Sequence, residues 1–489
     1  MNWKAVVKIL GKIFLAEAAM LVLPIIVAAI YGENTYWGFL LPILILLAIG
    51  VPTFFLHADG EERKIYAKEG FAIVAFAWIA MAAIGAIPFV ITKKIPNYID
   101  ALFETISGFT TTGASVLSDV ESLPKSILFW RSFTNWIGGM GVLVFVLAVL
   151  PRENSGIIHA FRAEATGPNV GKLTSKMGRT ARILYAIYIG LTLIEMCFLL
   201  IGNLPFFDAI TTAFANAGTG GFSVRNQSIG AYNSLYVEVV ITVFMFIFSV
   251  NFNLYYLILT GHALKAIKSE EAIAFFLMVV LAIFAIAMNI YYTMESIASF
   301  GTAMRYSSFQ VLSLGSTTGF ASIDYNSWPT LSKGILLFLM VTGGMAGSTA
   351  GGIKMSRLLI LVKSTAADIR KMVHPREIAT VKFEGEPIKQ ETINNVRVYF
   401  VTWAAILITS GLLISIWNPG NAHFDFLTNF SASLSCISNI GPGFNLVGPA
   451  ANFAGYSAFS KVVLSIEMLF GRLEIFPLMV LFSPSTYRK

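Results

Sequence analysis

The stretch 101–113 of the sequence, ALFETISGFTTTG, determines how the remainder of the chain is interpreted. Its first nine residues have helix character, and its last four, Thr110-Thr111-Thr112-Gly113, replace that pattern with hydroxyl groups and a glycine. The stretch lies between two long apolar runs, yet it is too short and too rich in hydroxyls to cross a hydrocarbon core of about 30 Å as a helix. We expect a re-entrant half-helix, which enters a membrane and leaves it on the same side.

The same pattern occurs at three further places. The corresponding tracts are Ala217-Gly218-Thr219-Gly220, Ser316-Thr317-Thr318-Gly319 and Ser438-Asn439-Ile440-Gly441. Three of the four segments open with an acidic residue, where a carboxylate offsets the positive end of a helix dipole: Asp100, Asp208 and Asp425. The third segment differs from the other three, because it has Arg305 in that region. Since the final glycines recur about every hundred residues, the repeating unit is a whole module, which gene duplication explains.

The composition requires lipid as the solvent for much of the chain. The 489 residues are 56% hydrophobic and only 12% charged, whereas soluble proteins carry about 25% charged residues. The mean hydropathy is +0.73. A polytopic membrane protein follows, and the fibrous, disordered and disulfide-stapled classes are excluded. The net charge of +7 is better explained as a topology signal than as a nucleic-acid-binding surface.

Ten apolar runs are candidate membrane spans. They are Ile13 to Tyr31, Trp37 to Leu56, Phe71 to Thr92, Ile127 to Leu150, Ile183 to Gly202, Leu235 to Thr260, Ala272 to Tyr292, Gly334 to Val362, Val398 to Trp417 and Lys461 to Phe482. The first two form an N-terminal hairpin over residues 1–70. The others flank the tracts in four modules, 71–150, 151–261, 262–365 and 366–489.

The arrangement of the modules follows from the number of spans in each. A module with two spans starts and ends on the same side, so successive modules are parallel and are related by an axis along the membrane normal. The predicted fold is an all-α polytopic membrane protein with ten transmembrane helices and four parallel modules in pseudo-fourfold arrangement around one central pore. Most of the 34 lysines and arginines fall on the side that carries both termini, which predicts that this side is cytoplasmic and that the tracts enter from outside.

The tracts have the chemistry of a cation site. Four half-helix C-termini around one axis carry partial negative charge, and glycine allows the backbone dihedrals that point carbonyl oxygens inward. The tracts contain no carboxylate, which favours a large monovalent cation, K⁺ above all. The predicted ion-binding residues are Thr110, Thr111, Thr112, Gly113, Gly218, Thr219, Gly220, Thr317, Thr318, Gly319, Asn439, Ile440 and Gly441. Any one tract alone is equally typical of close helix packing.

A second glycine-rich run, Gly343 to Lys354, interrupts the second span of the third module. Its glycines predict a break in the helix and a movable loop below the tracts; small-residue helix packing is the alternative, and a phosphate-binding loop is disfavoured because the Gly-Lys-Ser/Thr ending is lacking. Arg472 lies inside the last span, where we expect it to face the axis or a partner such as Glu467 or Glu474. The predicted gate residues are Gly343, Gly344, Gly347, Gly351, Gly352, Lys354 and Arg472.

Nothing in the sequence indicates an enzyme. Two cysteines lie far apart, and the five histidines lack the spacing of a metal site. We find no nucleophile with a base, no nucleotide fingerprint and no reason to expect a bound organic cofactor; K⁺ is expected as the transported ion.

The ten spans, the four tracts with a single final glycine, Trp136-Ile137-Gly138-Gly139-Met140-Gly141 and the run from Gly343 to Lys354 resemble the bacterial Trk/Ktr/HKT superfamily of potassium-uptake proteins. The N-terminal hairpin is more similar to the TrkH branch than to KtrB. The resemblance covers essentially the whole chain. The tracts at 217–220 and 438–441 depart from it, because they lack Thr-Thr-Gly, which makes the filter asymmetric.

The resemblance implies conduction of K⁺ and Rb⁺ through a selectivity filter, with Arg472 as a positive charge in the pore beneath it. It also implies a homodimer in the bacterial inner membrane and a cytoplasmic nucleotide-binding regulatory ring of the TrkA type, for which residues 151–182 and 363–397 are candidate docking segments. A potassium carrier coupled to H⁺ or Na⁺ through Glu195, Glu238 or Arg472 is the alternative.

Overall fold

The computed structural model describes residues 1–55, 67–141, 177–376, 380–416 and 424–484, and these are mostly helical. The predicted ends of three spans, at Leu56, Leu150 and Trp417, lie outside these ranges, as does most of the segment 151–182.

The N-terminal hairpin consists of the helices Trp3–Met20, Val22–Ile30 and Tyr36–Gly50, followed by a short 3-10 turn over Val51–Phe55. Its two arms pack so closely that a Cβ at Gly11 would overlap the side chain of Thr53. The hairpin also contacts the first module, because the Glu33 carboxylate accepts hydrogen bonds from the backbone N–H groups of Lys125 at 2.5 Å and Ser126 at 3.0 Å. A carboxylate in this position satisfies amides that a helix start leaves unpaired.

The first helices of the four repeats are long and mostly continuous. They are Ala67–Gly85 with Ile87–Ile91, Met177–Ile201, Glu270–Thr293 and Gln390–Ile416. Within the described residues six helices are long and apolar enough to cross a membrane, or seven if the bent pair Leu235–Ser249 and Phe252–Leu259 is one span. The multi-pass character agrees with the prediction, whereas the count of ten spans stays a prediction.

The second helices of the second, third and fourth repeats are interrupted, and that of the first repeat ends within the described residues. Lys125–Gly139 ends before Gly141, whose φ is +79°; Leu235–Ser249 and Phe252–Leu259 meet at 92°; Thr330–Thr342 and Met355–Val373 flank the glycine-rich run; and Ala458–Arg472 is separated from Phe476–Phe482. The predicted break in the third repeat is therefore present. The breaks within the runs Leu235 to Thr260 and Lys461 to Phe482 were not predicted from the sequence, and the assignment of these runs as spans stays a prediction.

Four short helices occupy the positions of the predicted half-helices: Tyr98–Phe109, Phe206–Ala217, Phe300–Gly315 and Phe426–Ser438. Asp425 caps the fourth, since its side chain accepts from the N–H of Thr428 at 2.9 Å. The third helix begins after Ser299, and its Arg305 forms an ion pair of 2.7 Å with Glu238 of the second repeat. Arg305, which distinguishes the third segment from the other three, thus forms a contact between neighbouring repeats.

The four repeats pack in cyclic order. Each adjacent pair shares an aromatic contact between ring centroids: Phe133 with Phe214 at 5.6 Å, Phe246 with Phe275 at 5.9 Å, Tyr325 with Phe444 at 5.2 Å, and Phe453 with Phe103 at 5.5 Å. The last contact returns to the first repeat, so the four contacts form a closed cycle.

A two-stranded antiparallel hairpin, Lys382–Phe383 with Glu386–Pro387, follows the Met355–Val373 helix. Its turn residues Glu384 and Gly385 have φ values of +53° and +81°, as a tight hairpin turn requires. Phe383 packs in a small apolar cluster with Ile360 and Ile393, which attaches the hairpin to the two flanking helices.

Candidate filter and gate

Each half-helix ends in the same backbone conformation. The residues in the left-handed region are Thr111, Thr219, Thr317 and Asn439, with φ between +53° and +59°. The next residue in each tract donates its N–H to the carbonyl five residues earlier, at 2.8 to 2.9 Å: Thr112 to Ser107, Gly220 to Ala215, Thr318 to Ser313 and Ile440 to Ser435. This is the pattern of a helix terminated by a left-handed residue, and it aligns the tracts residue by residue.

The alignment corrects the register of the second tract. Two residues after the left-handed position stands a glycine of positive φ in every tract: Gly113, Gly221, Gly319 and Gly441. The sequence-based prediction placed Gly220 at this position, one residue too early. Two adjacent glycines made the choice ambiguous, and the backbone bonds of the helix end resolve it in favour of Gly221.

The four tracts meet in a closed ring. A Cβ at Gly113 would overlap the carbonyl oxygen of Gly220, one at Gly221 that of Thr318, one at Gly319 that of Ile440, and one at Gly441 would lie 2.7 Å from that of Thr112. Each glycine therefore lies against the backbone of the next tract in the cyclic order. Only residues without a Cβ permit this approach.

A cavity of about 130 Å³ adjoins the ring and is lined by Gly113, Gly221, Gly319 and Gly441 together. Two arginines also line it, and both are neutralised by carboxylates. Arg131 pairs with the buried Glu104 at 2.8 Å, and Arg225 pairs with Asp208 at 2.9 Å. The positive charges of the two arginines that line this cavity are therefore compensated.

Two pairs of hydroxyl groups in the tracts bond to one another. Thr110 and Thr112 lie 2.8 Å apart between their Oγ1 atoms, and Ser316 and Thr318 make the equivalent contact at 2.7 Å. In the fourth tract Asn439 donates to Thr112 Oγ1 at 3.0 Å and to the Met468 carbonyl at 2.9 Å. Asn439 thus joins the fourth tract to the first, which gives a physical reason for its departure from threonine.

The run from Gly343 to Lys354 is an irregular loop that lies against two of the tracts. The Gly351 N–H donates to Thr317 Oγ1 at 2.6 Å, and the Gly352 N–H donates to the Ser438 carbonyl at 3.0 Å. Positive φ values at Gly343, Gly347, Gly352 and Lys354 allow its turns. Lys354 is buried, and its ammonium group donates to the Ala350 carbonyl within the loop.

Arg472 connects this loop to the first repeat. Its guanidinium group donates to the carbonyl of Thr349 at 2.9 Å and to that of Gly139 at 2.6 Å, and it also contacts the Gly138 carbonyl. The expected partners Glu467 and Glu474 have other contacts. Glu474 pairs with Arg357, and Glu467 accepts hydrogen bonds of 2.6 Å from Ser410 and Ser433. The guanidinium therefore bridges backbone carbonyls of two segments.

Sequence reasoning missed Glu271, which holds both sides of the loop. Its Oε1 atom accepts from the N–H of Ala346 at 2.7 Å and from that of Ser356 at 3.0 Å. The acidic residue at a helix start was a visible signal, but offsetting the helix dipole explains such a residue equally well. The carboxylates considered for ion coupling have protein partners too: Glu195 accepts from Asn216 Nδ2 at 2.5 Å, and Glu238 pairs with Arg305.

Known proteins are similar to this chain in sequence and in architecture. The family described as "TrkH: Cation transport protein" matches residues 39–487. The Trk system potassium uptake protein TrkH of Salmonella typhimurium is 33% identical over 492 residues, all of both chains. The Trk system potassium uptake protein TrkG of Escherichia coli K12 is 33% identical over 469 residues, which are 95% of this chain and 94% of that protein.

The structural similarity has the same extent. The crystal structure of the potassium transporter TrkH from Vibrio parahaemolyticus superposes with a TM-score of 0.88 at 31% identity, over 100% of both chains. These relatives are membrane transport proteins and not enzymes. The chain belongs to the TrkH family of cation transport proteins.

Proposed function

We propose that this chain mediates potassium uptake by conducting K⁺, and also Rb⁺, through the ring formed by its four tracts. The observation that carries the proposal is the ring of contacts in which each tract's glycine lies against the backbone of the next tract. These glycines are Gly113, Gly221, Gly319 and Gly441. A ring of this kind offers backbone carbonyl oxygens to a dehydrated cation. The names of the relatives, all potassium uptake proteins, support K⁺ as the ion.

The charge around the ring favours a monovalent cation. Four helices end at the tracts, and each contributes the partial negative charge of its unpaired carbonyl groups. The proposed ion-binding residues are Thr110, Thr111, Thr112, Gly113, Gly218, Thr219, Gly220, Gly221, Thr317, Thr318, Gly319, Asn439, Ile440 and Gly441. No carboxylate is among them, so the field is weaker than that of the acidic rings that select divalent ions.

The loop from Gly343 to Lys354 is the proposed gate. Its contacts with Thr317 and with the Ser438 carbonyl place it against the ring, and an irregular backbone inside a membrane is tolerated where it lines a cavity or is buried in protein. The Arg472 guanidinium holds the Thr349 carbonyl of the loop. Its charge opposes a cation that passes the ring, so loop and charge form one barrier.

The architecture of the proposed transporter is that predicted from sequence: ten spans, an N-terminal hairpin over 1–70, and modules at 71–150, 151–261, 262–365 and 366–489. We place it in the bacterial inner membrane with both termini in the cytoplasm. A homodimer and a regulatory nucleotide-binding ring of the TrkA type complete the proposal. The relatives are named as parts of a Trk system, which supports a multi-component assembly. The basic segments 151–182 and 363–397 are the proposed docking segments.

Ion flux into liposomes that contain only the purified chain tests this function. We expect K⁺ and Rb⁺ to enter faster than Na⁺, and we expect the flux to persist when no pH gradient is imposed. Empty liposomes and liposomes with heat-denatured chain serve as controls. Flux that requires a pH or Na⁺ gradient would contradict the pore and would establish the coupled carrier in its place.

A further inference from the structure

The hairpin Lys382–Phe383 with Glu386–Pro387 is bonded to the start of a distant helix. The carboxylate of its turn residue Glu384 accepts hydrogen bonds from Ser269 Oγ at 2.8 Å, from the Glu270 N–H at 3.1 Å and from the Glu271 N–H at 3.1 Å. In return the Glu384 N–H donates to Glu270 Oε2 at 3.2 Å. The hairpin therefore caps the first turn of the Glu270–Thr293 helix, where a carboxylate is favoured by the helix dipole.

The capped turn carries the residue that holds the gate loop. Glu271 is buried, with 4% of its surface exposed. While its backbone N–H is bound by Glu384, its Oε1 atom binds the N–H groups of Ala346, inside the loop, and of Ser356, just beyond it. One oxygen atom thus accepts hydrogen bonds from two backbone amides, one inside the loop and one just beyond its end.

The hairpin is attached to the other side of the loop as well. Lys363, on the Met355–Val373 helix that continues from the loop, pairs with Glu270 and donates to the Lys382 carbonyl at 2.9 Å. Phe383 packs near Ile360 of the same helix. The hairpin consequently bridges the two helix starts between which the loop is held.

We propose that Glu271 is a positioning residue for the loop and that the hairpin controls the loop through Glu384. The inference rests on the proposed function of the loop as a gate. With the hairpin seated, Glu384 fixes the first turn of the Glu270–Thr293 helix, and Glu271 fixes the loop against the ring. Displacement of the hairpin frees that turn, so Glu271 no longer holds both amides and the loop can leave the ring. The hairpin is a control element built into this chain.

The test combines liposome flux with hydrogen exchange at the amides of residues 345–356. We expect Glu271→Ala to raise basal Rb⁺ flux on the order of tenfold, because two buried amides lose their acceptor. Glu384→Ala should raise it about threefold, since its bonds are partly exposed to water. Both variants should exchange faster at 345–356 while the ratio of Rb⁺ to Na⁺ flux stays unchanged. Glu384→Gln keeps an acceptor, so its flux and its exchange at 345–356 should stay close to those of the unaltered chain.

Glu386→Ala is the matched control, because Glu386 is an exposed carboxylate of the same hairpin; this variant should leave both readouts as in the unaltered chain. The inference is overturned if Glu384→Ala changes neither exchange nor flux, or if Glu386→Ala changes both equally. If Glu384→Ala does not fold, as judged by its melting curve, Glu384→Asp is compared with Glu386→Asp by the same two readouts. The shorter side chain withdraws the carboxylate from Ser269 Oγ and the two amides, so flux and exchange should rise only in Glu384→Asp, and equal values in the two variants overturn the inference. A chain that conducts no cation under any condition refutes the proposed function, whereas exchange at 345–356 still tests the contact between hairpin and loop.

Discussion

Replacing Gly113 with alanine should reduce K⁺ flux on the order of tenfold or more and weaken the preference for K⁺ over Na⁺, while the chain still folds. Gly113 has a φ of +81°, and its added Cβ would overlap the Gly220 carbonyl oxygen. The left-handed conformation alone costs an alanine about 1 to 2 kcal/mol. The overlap must also push the neighbouring carbonyl out of the ring. The measurement is Rb⁺ and Na⁺ flux into liposomes, and Gly319→Ala should behave in the same way.

A control glycine with the same backbone conformation separates the effect of backbone strain from the effect of displacing the ring carbonyl. Gly261 has a φ of +84°, and no atom lies within 4 Å of its Cβ position. Gly261→Ala should therefore carry the backbone cost while flux and ion preference remain unchanged. Unaltered ion preference in both Gly113→Ala and Gly319→Ala would show that the ring does not select the ion.

Shortening the gate loop should raise basal flux on the order of tenfold or more without changing ion preference. Removal of residues 345–349 is feasible, because a Cβ at Gly344 would lie only 2.6 Å from that of Ala350. The deletion eliminates the Thr349 carbonyl that Arg472 holds and the Ala346 amide that Glu271 holds. Gly351 and Gly352, which contact the tracts, remain. The measurement is Rb⁺ flux from the purified variant in liposomes.

Two variants of Arg472 separate the charge of this residue from its bonds. Arg472→Lys keeps a positive charge but loses the fork that joins the Thr349 and Gly139 carbonyls, whereas Arg472→Ala loses both. A charge barrier predicts higher flux only in Arg472→Ala, and a mechanical tie predicts it in both.

A shortened loop whose basal flux equals that of the unaltered chain would show that the loop is not the gate.

The sequence was sufficient to locate the four tracts, because helix packing alone does not require a glycine after small polar residues at the same place in four repeats. It was insufficient for the register of the second tract. Gly220 and Gly221 are chemically identical, and the difference between them lies in the backbone bonds of the preceding helix end. The role of Asn439 was equally hidden, since its two hydrogen bonds reach residues that are distant along the chain.

Of the helix breaks, one was predictable from the sequence and another was not. The break after Thr342 was predictable from five glycines in twelve residues. The break before Phe476 was not, because Glu474 and Ile475 adopt φ values of +55° and +64°, a conformation that their residue types disfavour and that the surrounding contacts impose. The contacts of Glu271 were hidden in the same way, because its partners Ala346 and Ser356 lie far from it along the chain.

The location of Rb⁺ in the purified protein, determined by anomalous scattering from crystals grown in RbCl, tests the ring most directly as the ion site. We predict Rb⁺ on the axis of the ring, bounded by the carbonyl groups of all four tracts, and we predict the loss of this density in Gly113→Ala crystals. Well-ordered Rb⁺ elsewhere in the membrane-spanning region, with none in the ring, would contradict the central claim that the four tracts together bind the transported ion.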